Sequence, residues 1–249
     1  MRIKDSTFAI SNQKSLGVFG DAALRYAESD LHVLPLEQGT KRPAALTVNG
    51  VFAATTNAEQ IRRWWSVNPM YNVGIATGAS DLCVLDEDGY QGQVSLAVLE
   101  AELGKLPPTT TQITPGKVVG GQHTGKGRHL IFKGIKGLQS PVGVVAGVDI
   151  KAGGGLIVVS PSVHPDGTGT YEFAPGCSFD DIAPVALPAP WVEFLQVACS
   201  KQQDKNYYNR AEAKVITVLE RLAEVQAKFI AHLEGMLPPL PSKNEAATF

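Results

Sequence analysis

The sequence predicts a mixed fold, α+β or α/β, of about 200 residues followed by a helical tail. Two observations predict it. Short apolar runs with strand character alternate with stretches of helical spacing, and Gly/Pro/Asn clusters separate them. The composition, 44% hydrophobic and 18% charged over 249 residues, is that of a globular chain able to bury one large core or two small ones.

The elements follow in order. Leu16, Phe19, Ala22, Leu24 and Ala27 share a helical face, so a helix is expected from Leu16 to Glu28. His32 to Leu36 reads as a short strand, and Gly39-Thr40-Lys41-Arg42-Pro43 as a turn bearing two cations. Thr56 or Asn57 can cap a helix running from Ala58 through Trp65, with Gln60 near the reciprocal capping position. Asn72 to Ala76 is a second strand. Leu82-Cys83-Val84-Leu85-Asp86-Glu87-Asp88 is a buried strand running into acids, with Gly89 as its exit turn. Gln93 to Leu103 reads as a helix closed by Gly104 and Pro107-Pro108. Beyond it lie Thr109 to Ile113, the strand Arg128 to Phe132, the segment Gly147 to Lys151 and the strand Leu156 to Val159. Thr170 to Phe173 reads as an edge strand and Pro188 to Val197 as a short helix. A long amphipathic helix is expected from Ala211 to Leu237, then a disordered end. The expected boundaries are 1–200 for a catalytic domain, 201–237 for the helical tail and 238–249 for the disordered end.

Net charge is -2, which excludes a globally basic coat for nucleic acid. Cys83, Cys177 and Cys199 show no C-x-x-C spacing, so neither a disulfide framework nor a zinc knuckle is expected. The first residues lack a signal-peptide apolar core, and no run approaches the roughly 18 apolar residues of a membrane span. A cytoplasmic protein without membrane contact is expected.

The chemistry starts at Asp86. In a strand, residues two apart share a face, so Asp86 and Asp88 point one way and Glu87 the other. Two rises of about 3.3 Å separate the two aspartates by roughly 6–7 Å. At an effective dielectric near 20 their repulsion costs roughly 2–3 kcal/mol. A divalent cation between them reverses that sign, and hard cations prefer carboxylate oxygen. The alternative is a strand ending in solvated acids.

From Leu106 to Lys151 the cations are Lys117, Lys126, Arg128, Lys133, Lys136 and Lys151, against the single acid Asp149. A local charge of +5 suits a polyanion such as a triphosphate or a nucleic-acid backbone, unless the lysines are merely scattered over the surface. Gly120 to Gly127 nearly fits a phosphate loop. However, Gly127 stands at the Ser/Thr position and a strand, not a helix, follows, so only contact through glycine amides and Lys126 is expected. His129 enters an apolar strand and, taken alone, reads first as a structural histidine. His123 reads as a loop residue and His164 as structural. Asp149 lies in an apolar, glycine-flanked segment, where an acid is costly unless paired; a metal shared with Asp86 and Asp88 meets that need. Trp64 and Trp65 are expected to bury at least one ring, the sharper alternative being a base-stacking platform. Arg62 and Arg63 read as a solvated face.

Five stretches in this order carry a resemblance: HVLPLEQGTKRPA, ATTNAEQIRRWW, NVGIATGASDLCVLDEDG, GRHLIF and GVDIKAGGGLIVVSPSVHPDGTGTYEF. The chain resembles the N-terminal domain of bifunctional DNA primase–polymerases, in the archaeo-eukaryotic primase superfamily, from about Ala22 to Leu195. The resemblance implies an RRM-like sheet packed with a smaller α/β module, with the active site in the cleft between them. It implies a template-directed nucleotidyltransferase, a DNA primase or polymerase acting in replication. Its first motif matches Asp86 and Asp88, its second His129, its third Asp149. These three aspartates are implied ligands of two divalent cations, Mg or Mn. Lys126, Arg128, His129 and Lys151 are the expected nucleotide contacts. The implied partners are single-stranded template and primer, dNTP or NTP, and a separate helicase, since members often continue into a helicase-type ATPase. A stand-alone enzyme, a fragment or a helicase-dependent subunit are all compatible with this chain.

There are departures. Gly127 stands where many members have serine, Lys151 replaces a common arginine, Ser160 replaces one proline, and the loop before His129 is longer. A two-metal nuclease or phosphohydrolase, or a non-catalytic replication-initiation module docking through its last helix, are the competing readings.

Overall fold

The structure is a computed structural model and describes residues 15–116, 118–140, 145–165, 167–200 and 220–227. Helix α1 (Gly17–Glu28) leads into β1 (Val33–Leu36), and a 3-10 turn (Gly50–Ala53) precedes α2 (Ala58–Val67). Next come β2 (Asn72–Ala76), β3 (Leu82–Glu87), α3 (Gly89–Leu103) and β4 (Thr110–Thr114). A small ribbon of β5 (Val118–Val119) and β6 (Gln122–His123) precedes β7 (Gly127–Lys133). β8 (Val148–Lys151), β9 (Leu156–Val159), β10 (Glu172–Phe173) and α4 (Ala189–Ser200) complete the set, with a further helical stretch over 220–227. The rest of the expected helix Ala211 to Leu237, and the end beyond it, lie outside the described residues.

Two antiparallel sheets organise these elements. The larger has the order β10-β4-β7-β3-β8, and the smaller β1-β2-β9. Side-chain alternation gives the large sheet two different faces. Cys83, Leu85, Phe132 and Ile150 pack against Leu96 and Leu99 of α3, Trp191 and Phe194 of α4, and Leu222. Leu82, Val84 and Ile131 face the other way and join a core with Ala23 of α1, Ile61 and Trp65 of α2, and Val73, Ile75, Ile157 and Val159 of the small sheet. The small sheet therefore lies on the face of β3 that Asp86 shares with Leu82 and Val84.

Most expected elements form close to their expected bounds. Asn57 is the cap of α2: its side-chain oxygen accepts from the Gln60 N–H at 2.9 Å. The main difference is at the acids. β3 stops at Glu87, Asp88 becomes the N-cap of α3, and Gly89 is the first helical residue instead of a separate turn. Gly89 has φ +56°, which lets the chain swing from strand to helix with no loop between them. Two glycines in the first helical turn masked this start in the sequence.

Gly92 explains why that turn tolerates glycine. A Cβ there would lie 2.4 Å from the Gly147 carbonyl oxygen and 2.8 Å from the Glu87 side chain. The close approach docks α3 on the start of β8 and fixes Asp88 at the end of β3. Among the described residues no helix is long and apolar enough to cross a membrane. All three cysteines are free, and Cys83 is buried in the core.

Helix propensity alone makes Gly92→Ala stabilising by about 1 kcal/mol. The contact makes it destabilising, by about 1–3 kcal/mol, in urea unfolding.

Candidate active site

Four strands of the large sheet bring the site together. Asp86 on β3 pairs in register with His129 on β7 and, on its other side, with Asp149 on β8. His129 pairs in turn with Gln112 on β4. Residues directly opposite on neighbouring strands share a face, so Gln112, His129, Asp86 and Asp149 form one row across the sheet. The row faces the side on which the small sheet packs.

The contacts along the row are short. His129 Nε2 lies 3.2 Å from Asp86 Oδ1. Lys151, two residues beyond Asp149 and so on the same face, sets its Nζ 2.9 Å from Asp149 Oδ2 and 3.8 Å from Asp86 Oδ2. Asp86 is only 13% exposed at its side chain. Burial alone would raise its carboxyl, but His129, then Lys151 and Lys41, outweigh burial and hold it well below the usual carboxylate range. Lys41 comes from the turn after β1, so both sheets contribute charge to this carboxylate.

The opposite face carries a different pair. Glu87 is fully buried, and Arg128 meets it with two hydrogen bonds, Nε to Oε1 at 2.9 Å and Nη2 to Oε2 at 2.5 Å. Arg128, expected beside the nucleotide, is thus turned away from the row. Neighbouring residues in a strand point to opposite faces, and His129 already occupies the site face. Its fork holds Glu87 behind Asp86.

Residues 23–190 match the family model for the bifunctional DNA primase/polymerase N-terminal domain. The chain belongs to this family. A search of curated proteins finds no match.

The primase/polymerase match spans both sheets and includes every member of the row. Among the described residues, no three His, Cys, Asp or Glu side chains are gathered as a metal cluster. Two carboxylates do already share a cation, since the Lys151 ammonium stands between Asp86 and Asp149. Hard carboxylate oxygens around a positive charge are a donor set that fits Mg or Mn. Asp88, the third expected ligand, is the next residue beyond β3 with extended backbone at φ -93° and ψ 101°.

Lys126 is exposed, on a loop whose Thr124 carbonyl accepts from the Tyr90 N–H at 3.4 Å, beside the start of α3. His123 is an exposed loop residue, its Nδ1 accepting from the Gly125 N–H at 3.1 Å. His164 is buried with its Nδ1 3.2 Å from the Thr168 hydroxyl, and the Tyr171 ring lies 5.7 Å from its ring and 6.0 Å from that of His129. Trp64 and Trp65 are both buried, and the Trp65 indole donates to the Tyr71 carbonyl at 3.0 Å, so neither ring offers a face to a base. At Gly127, where the resemblance implied a serine, a Cβ would meet the Glu87 carbonyl oxygen at 2.1 Å and the Thr114 hydroxyl at 2.7 Å. This backbone has no room for that side chain. Gln112 and Lys41 went unread as site residues in the sequence. Nothing local marks a glutamine in a threonine-rich strand, and only the strand register shows what it faces.

Arg128→Ala leaves a buried carboxylate unpaired and is expected to cost about 3–5 kcal/mol in urea unfolding; adding Glu87→Met recovers most of that loss. A depressed folded pKa contributes stability above the unfolded value, near 3.9 for an aspartate, and loses it as pH falls below that value. The stability advantage of the wild type over Asp86→Asn is therefore expected at neutral pH and to shrink through the acid range, followed by thermal melts.

Proposed function

We propose that the chain is a template-directed nucleotidyltransferase of the DNA primase/polymerase kind. It joins dNTPs or NTPs to the 3′ end of a strand paired with single-stranded DNA template. The row Asp149–Asp86–His129 carries this reading, because it sets two carboxylates beside a histidine on one face of a sheet. The strand order β4-β7-β3-β8, with α3 linking β3 to β4, supports an RRM-like sheet with the small module closing a cleft over the row.

Asp86, Asp149 and Asp88 would hold divalent cations, Mg or Mn. Bound there, the cations supply charge neutralisation at the phosphates and a lowered pKa for the attacking hydroxyl. The protein side does the positioning. The His129 ring, held between Asp86 and Gln112, presents Nε2 to the site, where an N–H can bind a phosphate oxygen as charge develops. Lys151 lies against both carboxylates, and its ammonium would turn to a phosphate when a cation takes its place. Lys126 adds a positive charge at the loop near the start of α3. Arg128 acts from behind the sheet by fixing Glu87, and Watson–Crick pairing selects the nucleotide. A separate helicase is the expected partner in replication.

A labelled primer on a longer template, with dNTPs and Mg or Mn, tests this reading. Asp86→Asn and Asp149→Asn are each expected to lower extension by on the order of a thousandfold while both proteins stay folded. Wild-type extension in both variants contradicts the assignment. Release of nucleotides from the primer without dNTP, and no extension, identifies a nuclease instead.

A further inference from the structure

The hydrogen bonds of Gln112 reach further than the row itself. Its side chain is fully buried, and backbone groups fix which end of the amide is which. Oε1 accepts the Ser160 N–H at 2.7 Å, and Nε2 donates to the Val158 carbonyl at 2.9 Å. A flipped amide would set oxygen against oxygen at Val158 and N–H against N–H at Ser160. With that orientation fixed, the second Nε2 hydrogen points at His129 Nδ1, 3.0 Å away. His129 Nδ1 can then only accept. A neutral imidazole that accepts at Nδ1 carries its proton at Nε2, which faces Asp86 Oδ1 at 3.2 Å.

We propose that Gln112 is a positioning residue: it fixes His129 as the Nε2–H tautomer and aims that single proton at the Asp86 side of the site. The bonds to Val158 and Ser160 come from β9 and the residue just after it, so the small sheet sets the proton position of a histidine on the large sheet. Use of that N–H on a nucleotide phosphate rests on the function proposed above; the tautomer itself does not.

Nitrogen-15 correlation spectra of the full chain, labelled at histidine and recorded without metal or nucleotide at mildly alkaline pH, read the tautomer directly. His129→Asn assigns the ring by loss of its signals. The wild type is expected to show His129 Nδ1 as an unprotonated nitrogen and Nε2 as a protonated one. In Gln112→Glu a carboxylate replaces the donor. The ring is then expected to carry a proton on Nδ1, and that resonance moves into the protonated range. A wild-type ring protonated at Nδ1 overturns the proposal, as does a folded Gln112→Glu protein with the wild-type pattern. If Gln112→Glu does not fold, the wild-type spectrum decides alone, Nε2–H supporting the proposal and Nδ1–H defeating it. A purely structural glutamine would change melting temperature without moving these resonances. Absence of primer extension would count against the enzyme reading and leave the tautomer result standing.

Discussion

Two carboxylates held opposite each other on adjacent strands repel, and the site is built around that repulsion. Asp86 and Asp149 cannot move apart without breaking the pairing of β3 with β8, because both belong to the same register. Lys151 and His129 supply the compensating charge and hydrogen bond. Like charges directly opposite on a sheet are destabilising. In the fold that arrangement is kept with a lysine ammonium lodged between the partners. The phosphate and metal chemistry proposed above rests on that constraint.

The two faces of β3 divide the work. Asp86 faces the small sheet, whereas Glu87 meets Arg128 and the core beneath α3. The pair of buried Glu87 with half-exposed Arg128, the Gly92–Gly147 contact and the crowded backbone at Gly127 all lie along the end of β3. They leave the strand little freedom where its acid sits. Gln112 adds the link between sheets, joining the row to β9. The site is therefore rigid because both sheets fix it, not because any single element does.

The legible part of this site was local. The apolar run ending in Asp86-Glu87-Asp88 reads as a strand in any sequence, and strand alternation by itself sends Asp86 and Glu87 to opposite faces. Asp149 is about sixty residues further on, and only strand pairing brings it beside Asp86; its place in an apolar segment and the family likeness, not spacing, pointed to it. Arg128 shows the same rule left unused. Adjacent to His129 in a strand, it had to face the other way, yet its charge suggested a phosphate contact. The start of α3 was hidden because Gly89 and Gly92 read as loop residues, although one serves a tight corner and the other a close helix–sheet contact. Gln112 carried no local signal, since its meaning depends on a register between strands and on a second sheet.

The position of a divalent cation tests the central claim most directly. A crystal of the full chain soaked with Mn and a non-hydrolysable dNTP, located by anomalous scattering, is expected to show an ion touching both Asp86 and Asp149 with the Lys151 ammonium displaced from between them. An ion bound only elsewhere, with Lys151 still bridging the two carboxylates, would contradict it.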